Sequence, residues 1–138
     1  MQQAVKTFTI STDKSQLDAT MIYGFLKQSY WASNLSFSML KKAINNSFCV
    51  GIYDGKKQVG FLRVITDYAT FAYFSDVFVL EAYRGRGLAT QMIQFCLNHP
   101  ELQSLRQWLL LTKDAHRLYQ KFGFKRVENA ERFMSKRN

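Results

Sequence analysis

Phe71-Ala72-Tyr73-Phe74-Ser75-Asp76-Val77-Phe78-Val79-Leu80, followed at once by Glu81-Ala82-Tyr83-Arg84-Gly85-Arg86-Gly87-Leu88-Ala89-Thr90, is the stretch that decides the fold. Its first ten residues are almost wholly apolar or aromatic, and such a run predicts a strand buried on both faces. Beyond it, Leu88, Met92, Phe95 and Cys96 fall at i, i+4, i+7 and i+8, which predicts a helix with one apolar face. His99-Pro100 closes that helix near Asn98, because the residue before a proline avoids the helical region. Between strand and helix, Gly85 and Gly87 alternate with Arg84 and Arg86. A glycine-containing turn at a helix start exposes unpaired backbone N–H groups where the helix dipole is positive. Glycines let a phosphate approach that backbone, and two guanidiniums add charge, so a diphosphate suits the turn. The same glycines would also serve a tight turn that binds nothing. A Walker A pattern is absent, and Gly85-x-Gly87 leads to Thr90 where the dinucleotide fingerprint needs glycine.

Working outward, residues 48–80 read as three antiparallel strands. Phe48, Val50 and Ile52 alternate with Cys49, Gly51 and Tyr53, and Asp54-Gly55 is a hairpin turn signal. Gln58 to Thr66 alternates again, with Val59, Phe61, Arg63 and Ile65 expected on one side. Before the meander, residues 5–10 suggest a short strand, beginning at Val5. Two amphipathic helices follow, one capped at Ser15 and carrying Leu17, Met21 and Phe25, the other capped at Ser36 and carrying Phe37, Leu40 and Ile44. A loop at 30–34 joins them. After the glycine turn and its helix, Trp108–Leu111 predicts a buried strand. Asp114 is placed to cap a helix with Ala115, Leu118, Tyr119 and Phe122 on one stripe, and Gly123 to end it. Residues 124–127 and 132–135 are expected as terminal strands.

Composition narrows the class. The chain has 138 residues, 47% hydrophobic, 15% aromatic and 21% charged, with one proline and seven glycines. That matches one domain, residues 1–138, and excludes a disordered chain, a coiled coil or a collagen-like repeat. No apolar run approaches the roughly 20 residues of a membrane span. The opening residues lack the apolar core of a secretory signal, and Cys49 and Cys96 have no CxxC partner, so a cytoplasmic protein with free, buried thiols is expected. Neither His99 nor His116 pairs with cysteine at ligand spacing, so no metal is expected. Nineteen Lys and Arg against ten Asp and Glu give +9, which favours an anionic partner.

Arg84-Gly85-Arg86-Gly87-Leu88-Ala89 resembles the (Q/R)-x-x-G-x-(G/A) signature of the GNAT superfamily of N-acetyltransferases, with Arg84, Gly87 and Ala89 at its defining positions. Leu118-Tyr119-Gln120-Lys121-Phe122-Gly123-Phe124 is similar to the superfamily's second motif, L-Y-x-K-x-G-F. The order of elements matches too, over essentially the whole chain. The resemblance implies an α+β fold: a central mixed, mostly antiparallel sheet of about six to seven strands, flanked by about four helices and splayed between the fourth and fifth strands. It implies acetyl-CoA as acetyl donor, with the diphosphate on Arg84, Gly85, Arg86, Gly87, Leu88 and Ala89. The pantetheine arm would then pair with a bulged fourth strand at about Val77, Phe78 and Val79.

The reaction implied is transfer of the acetyl group to a primary amine of a small molecule, by direct attack through a tetrahedral intermediate. A base or water chain must take the amine's proton. A strand N–H near Phe78 or Val79 would stabilise the carbonyl oxygen. Tyr119 occupies the family's usual position for protonating the departing thiolate, although its stripe also suits a core aromatic. Asp76 is the candidate base: if buried, its pKa would rise towards neutrality, but it could equally hydrogen-bond a neighbouring strand or loop. Glu81 ranks below it. Tyr30, Trp31, Tyr68, Thr70 and Tyr73 are candidate walls of the acceptor pocket, though each singly suits packing as well, and Arg63 could meet an acidic group on the substrate or equally be a solvated face residue. Peptide or protein N-acetylation and a non-catalytic acyl-CoA sensor are the alternatives. A nucleic-acid module is disfavoured, because Lys41-Lys42, Lys56-Lys57, Lys125-Arg126 and Lys136-Arg137 are scattered. Monomer and homodimer both remain open.

Overall fold

The computed structural model describes residues 7–138; Val5 of the expected first strand lies outside the described residues. In chain order the elements are β1 (Thr9–Ser11), α1 (Ala19–Lys27), α2 (Phe37–Asn45), β2 (Phe48–Asp54), β3 (Lys57–Thr66), β4 (Phe71–Val79), α3 (Leu88–Asn98), β5 (Gln107–Leu110) and α4 (His116–Gln120). The strands form one sheet in the order β1-β2-β3-β4-β5, antiparallel throughout except for the parallel β4–β5 pair. Parallel neighbours need a long crossover, and α3 is that crossover. This is the mixed, mostly antiparallel sheet the sequence predicts, with five strands among the described residues.

The helices cover the two faces separately. Ile22 and Leu26 of α1 pack with Leu40 and Ile44 of α2 against Cys49, Phe61 and Phe78. On the other face Leu88, Met92, Ile93 and Cys96 of α3 and Tyr119 of α4 pack against Val50, Ile52, Leu62, Val64, Ala72 and Phe74. Two bulges set which residue faces which layer. In β3, Ile52 pairs with Gly60 but Tyr53 with Gln58, so Val59 is the extra residue. Val59 therefore joins the α3 layer while Phe61 joins the other, and the single row expected for Val59, Phe61, Arg63 and Ile65 is split. In β4, Phe61 pairs with Phe78 but Arg63 with Ser75, which leaves one residue extra around Asp76 and Val77. Phe74 and Phe78, four apart, would share a face in a regular strand; across this bulge they point into opposite layers.

Several local expectations change. β4 is not buried on both faces: Tyr73 and Ser75 are only half-buried, since α1 and α2 leave part of that face uncovered, and Val77, on the α3 side of the bulge, is half-buried too. Asp18, not Ser15, caps α1 by accepting from Met21 N; Ser15 lies in a preceding 3-10 turn capped by Asp13. Thr112 Oγ1, not Asp114, accepts the Ala115 N–H before α4. The terminal strands at 124–127 and 132–135 do not form. Phe124 packs on the core, but Val127, Phe133 and Met134 are exposed, so no alternating face is buried to hold a strand there.

β5 pairs with β4 only from Phe71–Gln107 to Phe74–Leu110. From Ser75 to Val79, β4 has no strand neighbour on that side among the described residues. This is the opening expected between the fourth and fifth strands. Gly60 fixes how closely α3 approaches beside it. A Cβ there would lie 2.7 Å from Ile52 Cγ2, 3.1 Å from the Phe78 carbonyl oxygen and 3.2 Å from Met92 Cε. Gly60→Ala is therefore expected to destabilise by about 1–3 kcal/mol through overpacking. Urea unfolding should show a lower midpoint at unchanged m-value.

Candidate functional site

The turn between β4 and α3 is bolted at its start. Tyr83 closes a 3-10 turn at Glu81–Tyr83, and its hydroxyl donates to Asp54 Oδ2 at 2.9 Å, tying the turn to the β2 hairpin. Phe8 meets the Tyr83 ring edge-on, and the Arg86 guanidinium lies 5.3 Å from the ring centroid. Arg84 Nε donates to the Val79 carbonyl at 3.1 Å, leaving its two terminal nitrogens without a partner among the described residues. Gly85 and Gly87 adopt φ of +80° and +76°, where a side chain is strained. Gly87 caps α3 with no side chain to offer; its carbonyl accepts from Gln91 N.

Among the described residues, no protein oxygen accepts the N–H groups of Gly85, Arg86, Gly87, Leu88 or Ala89. A Cβ built at Gly85 or Gly87 would meet nothing within 4 Å, so no protein atom crowds the two glycines on that side. N–H groups without a protein acceptor at the start of an 11-residue helix, with the Arg84 and Arg86 guanidiniums beside them, match an anion with several oxygens. The residues present therefore fit a diphosphate.

The bulge in β4 carries a second constellation. Asp76 sits in the left-handed region at φ +53°, with its side chain 6% exposed. Its Oδ2 accepts from Arg63 Nε at 2.8 Å and its Oδ1 from Trp31 Nε1 at 3.0 Å. Arg63 spends its remaining nitrogens on Ser47 Oγ and Ser75 Oγ, each at 3.1 Å. Ser47 in turn donates to the Ala43 carbonyl at the end of α2. Arg63 is thus held inside the protein, and the expectation that it meets an acidic substrate group is corrected. Asp76 has a donor on each oxygen, the hydrogen-bonded alternative raised for it.

Tyr119 lies on α4, in the α3 layer, with Phe74 and Phe124 as ring neighbours. Burial, with a smaller contribution from nearby Tyr30, pushes its phenol up to about 12. Tyr30 stands edge-on to Trp31 at 5.1 Å, and Lys113 Nζ lies 5.5 Å above the Tyr30 ring. The loop between α1 and α2 therefore spans from the β4 bulge to the neighbourhood of Tyr119. Tyr73 joins it on the sheet face, its phenol raised by burial and then by Asp76. Tyr68 stands apart. It occupies the β3–β4 turn at φ +64°, in a turn stitched by Asp67, which accepts from the N–H groups of Ala69, Thr70 and Phe71. Those bonds hold the Asp67 carboxyl well below the usual carboxylate range, beginning with the Thr70 hydroxyl. Among the described residues no ring contact joins Tyr68 to Tyr30, Trp31 or Tyr73. Glu81 is exposed in the turn. His99 ends α3, its Nδ1 accepting from Glu101 N. Both cysteines are buried and free, and burial raises both thiols, Cys49 to about 11.

Sequence reasoning missed Tyr83 and Asp54 as the anchor of the turn, and Ser47 and Ser75 as partners of Arg63. Only Asp54 carried a signal, and its hairpin role masked it. Two cavities, of about 430 Å³ beside Ile10, Phe95 and His99 and about 490 Å³ beside Thr70 and Arg106, include neither the turn nor Tyr119.

Comparison with known proteins places this geometry. A family model for the acetyltransferase (GNAT) domain matches residues 45–126. A Gibberella zeae protein named as a putative acetyltransferase is 32% identical over 137 aligned residues, covering 83% of this chain and 76% of that one. A crystal structure from Xanthomonas campestris pv. campestris, described as a putative acetyltransferase of the GNAT family, is 40% identical with a TM-score of 0.93, covering 98% of this chain and 96% of that one. A predicted acetyltransferase from Clostridium acetobutylicum, solved with acetyl-CoA, has a TM-score of 0.68 at 11% identity and covers 95% of each chain; it shows the fold alone.

The raised phenol gives a direct check. Tyr119 holds its proton more tightly folded than unfolded, so its contribution to stability is complete below pH 10 and is lost as pH rises towards 12. Alkaline difference absorbance should show a tyrosine ionising near pH 12, and Tyr119→Phe should remove that step.

Proposed function

Because the chain belongs to the GNAT acetyltransferase family and is thereby an acyltransferase, we propose that it moves an acetyl group from acetyl-CoA to the primary amine of a small molecule. One observation carries the donor assignment: among the described residues the five consecutive amides of Gly85 to Ala89 have no protein acceptor, in a turn that also carries Arg84 and Arg86. Acetyl-CoA, with which the Clostridium acetobutylicum structure was solved, has a diphosphate that suits this turn.

In this reading the amides of Gly85–Ala89 bind the diphosphate, and Arg84 and Arg86 neutralise it. Arg84, fixed through Nε to Val79, presents its free nitrogens from the end of β4, and the Tyr83 ring carries Arg86. Val77, Phe78 and Val79 line the opening beside β4, where backbone groups without a strand partner receive the pantetheine arm. Bound acetyl-CoA supplies a thioester carbonyl; an N–H near Phe78 or Val79 stabilises the negative charge that its oxygen gains under attack. Tyr119 donates its proton to the departing thiolate. A phenol with its pKa near 12 is fully protonated at neutral pH, so the donor form is the resting form. Asp76, with a donor on each oxygen, serves better as a positioning group than as the proton acceptor. The amine's proton then leaves to water. Tyr30, Trp31 and Tyr73 wall the acceptor side, with Tyr68 at its outer margin. A single domain acting in the cytoplasm, without nucleic acid or membrane, completes the reading.

Release of free thiol from acetyl-CoA across a panel of small amines tests the activity; no release with any amine would leave a binding protein. At 100 times Kd, acetyl-CoA should stabilise the fold by about 2.7 kcal/mol and raise Tm. Arg84→Ala should weaken acetyl-CoA binding about tenfold, consistent with loss of one charge-assisted contact of roughly 1.5 kcal/mol, read by calorimetry. Tyr119→Phe should lower kcat at least tenfold with little change in acetyl-CoA affinity.

A further inference from the structure

Trp31 is 42% exposed, yet its indole N–H reaches a carboxylate whose side chain is 6% exposed. The residue that receives it is not an ordinary strand residue. Asp76 is the left-handed point of the β4 bulge, one residue before the segment Val77–Val79 that borders the opening beside β5. Arg63 clamps the other carboxylate oxygen and is itself clamped by Ser47 and Ser75. One end of the Trp31 hydrogen bond is therefore rigid, held by β3, β4 and the turn between α2 and β2 together. The other end is a loop at 28–36, where Ala32 and Leu35 pack against the α1–α2 core. Its other hydrogen bonds are local: Ser29 Oγ accepts from Ala32 N, Leu35 N donates to the Ala32 carbonyl, and Lys27 Nζ donates to the Ser33 carbonyl. Trp31 supplies the loop's one side-chain hydrogen bond to the sheet among the described residues. The neighbouring Tyr30 carries the contact onward to Lys113, in the segment between β5 and α4.

A strand segment that gains a ligand along its open edge loses freedom, and a group hydrogen-bonded to that segment is ordered with it. Resting on the acetyl-CoA reading above, we propose that Trp31 is a positioning residue for the acceptor: through Asp76 it latches the 28–36 loop to the β4 bulge, so that filling the donor groove orders the acceptor wall. Acetyl-CoA then prepares the site for the amine, and Trp31 and Tyr30 present their rings to it in a fixed arrangement.

Hydrogen–deuterium exchange on the full chain tests this, with acetyl-CoA as the probe and Trp31→Phe as the variant. Phenylalanine keeps an aromatic ring beside Tyr30 and loses only the N–H donor, and the position is in a half-exposed loop, so the fold is expected to survive. Without ligand, amides of residues 29–35 should exchange about tenfold faster in the variant, with β3 and β4 unchanged. In the wild type, acetyl-CoA should slow exchange both at 77–89 and at 29–35. In the variant it should bind within about threefold of the wild-type Kd and protect 77–89, yet leave 29–35 unprotected. A structural role alone would change loop exchange equally with and without acetyl-CoA. The latch is overturned if the variant loop is protected as in the wild type, or if the wild-type loop ignores a ligand that protects 77–89. If acetyl-CoA protects neither segment of the wild type, the donor reading fails instead, and the proposed coupling falls with it. The ligand-free comparison then reports separately on the hydrogen bond: faster loop exchange in the variant supports that part, and equal exchange overturns it.

Discussion

A carboxylate in left-handed backbone space, with the Arg63 guanidinium on one oxygen and the Trp31 indole on the other, is the constraint on which the rest of the molecule depends. Asp76 at φ +53° costs roughly 1–3 kcal/mol, as non-glycine residues there generally do. The buried Arg63 ion pair does not make that strain free, since two charges must also leave water. What the pair does is choose one arrangement. Only with the extra residue at Asp76 do Phe74 and Phe78 reach opposite layers, each filling its own helix pair's core. Remove the bulge and Phe78 turns towards α3, leaving α1 and α2 without the ring that stacks on Phe25 at 3.9 Å. Packing on both faces thus reinforces the strained residue, which is how such a conformation persists.

The bulge also bends β4 where β5 stops following it. Parallel pairing ends at Phe74 and Leu110, two residues before Asp76. Past that point the strand carries its backbone groups to an open edge and delivers the chain into the glycine turn. Two separate devices then shape the turn. Gly85 and Gly87 hold positive φ, where a side chain would be strained, and Tyr83, tied to Asp54, fixes where the turn begins. Five amides without a protein acceptor give an anion several donors at one helix start. That local feature, more than the +9 charge, argues for an anion there.

The sequence made legible whatever depends on neighbours along the chain. Asp54-Gly55 announced the hairpin, the spacing of Leu88, Met92 and Cys96 announced α3, and Gly85 and Gly87 announced the tight turn at its start. It concealed what depends on one extra residue. Val59 reads as part of an even alternation with Phe61, and nothing in Gln58-Val59-Gly60 marks the bulge that sends them to opposite faces. The terminal segment misled for a related reason. Phe124, Val127, Phe133 and Met134 have strand-like character, but propensity without a face to bury does not make a strand, and Met134 is 97% exposed. In the site, Asp76 could be flagged as an odd carboxylate in an apolar run. Its partners Arg63 and Trp31 lie 13 and 45 residues away, and no local pattern names them.

The two faces of the sheet divide the chemistry of the proposed function unequally. The α3 face is a continuous apolar cluster, with Gly60 drawing the helix in and Tyr119 embedded beside Phe74, so donor-side groups rest on packing that leaves little room to adjust. The α1–α2 face ends in a polar patch of Ser47, Arg63, Ser75 and Asp76, bordered by half-exposed aromatics and the 28–36 loop. Substitutions in residues 28–36 can therefore reshape the acceptor wall while the donor turn stays as it is. Asp76 is the exception, because it belongs to both sides. A change there releases Trp31 and unclamps the bulge together, coupling acceptor recognition to donor geometry through one side chain.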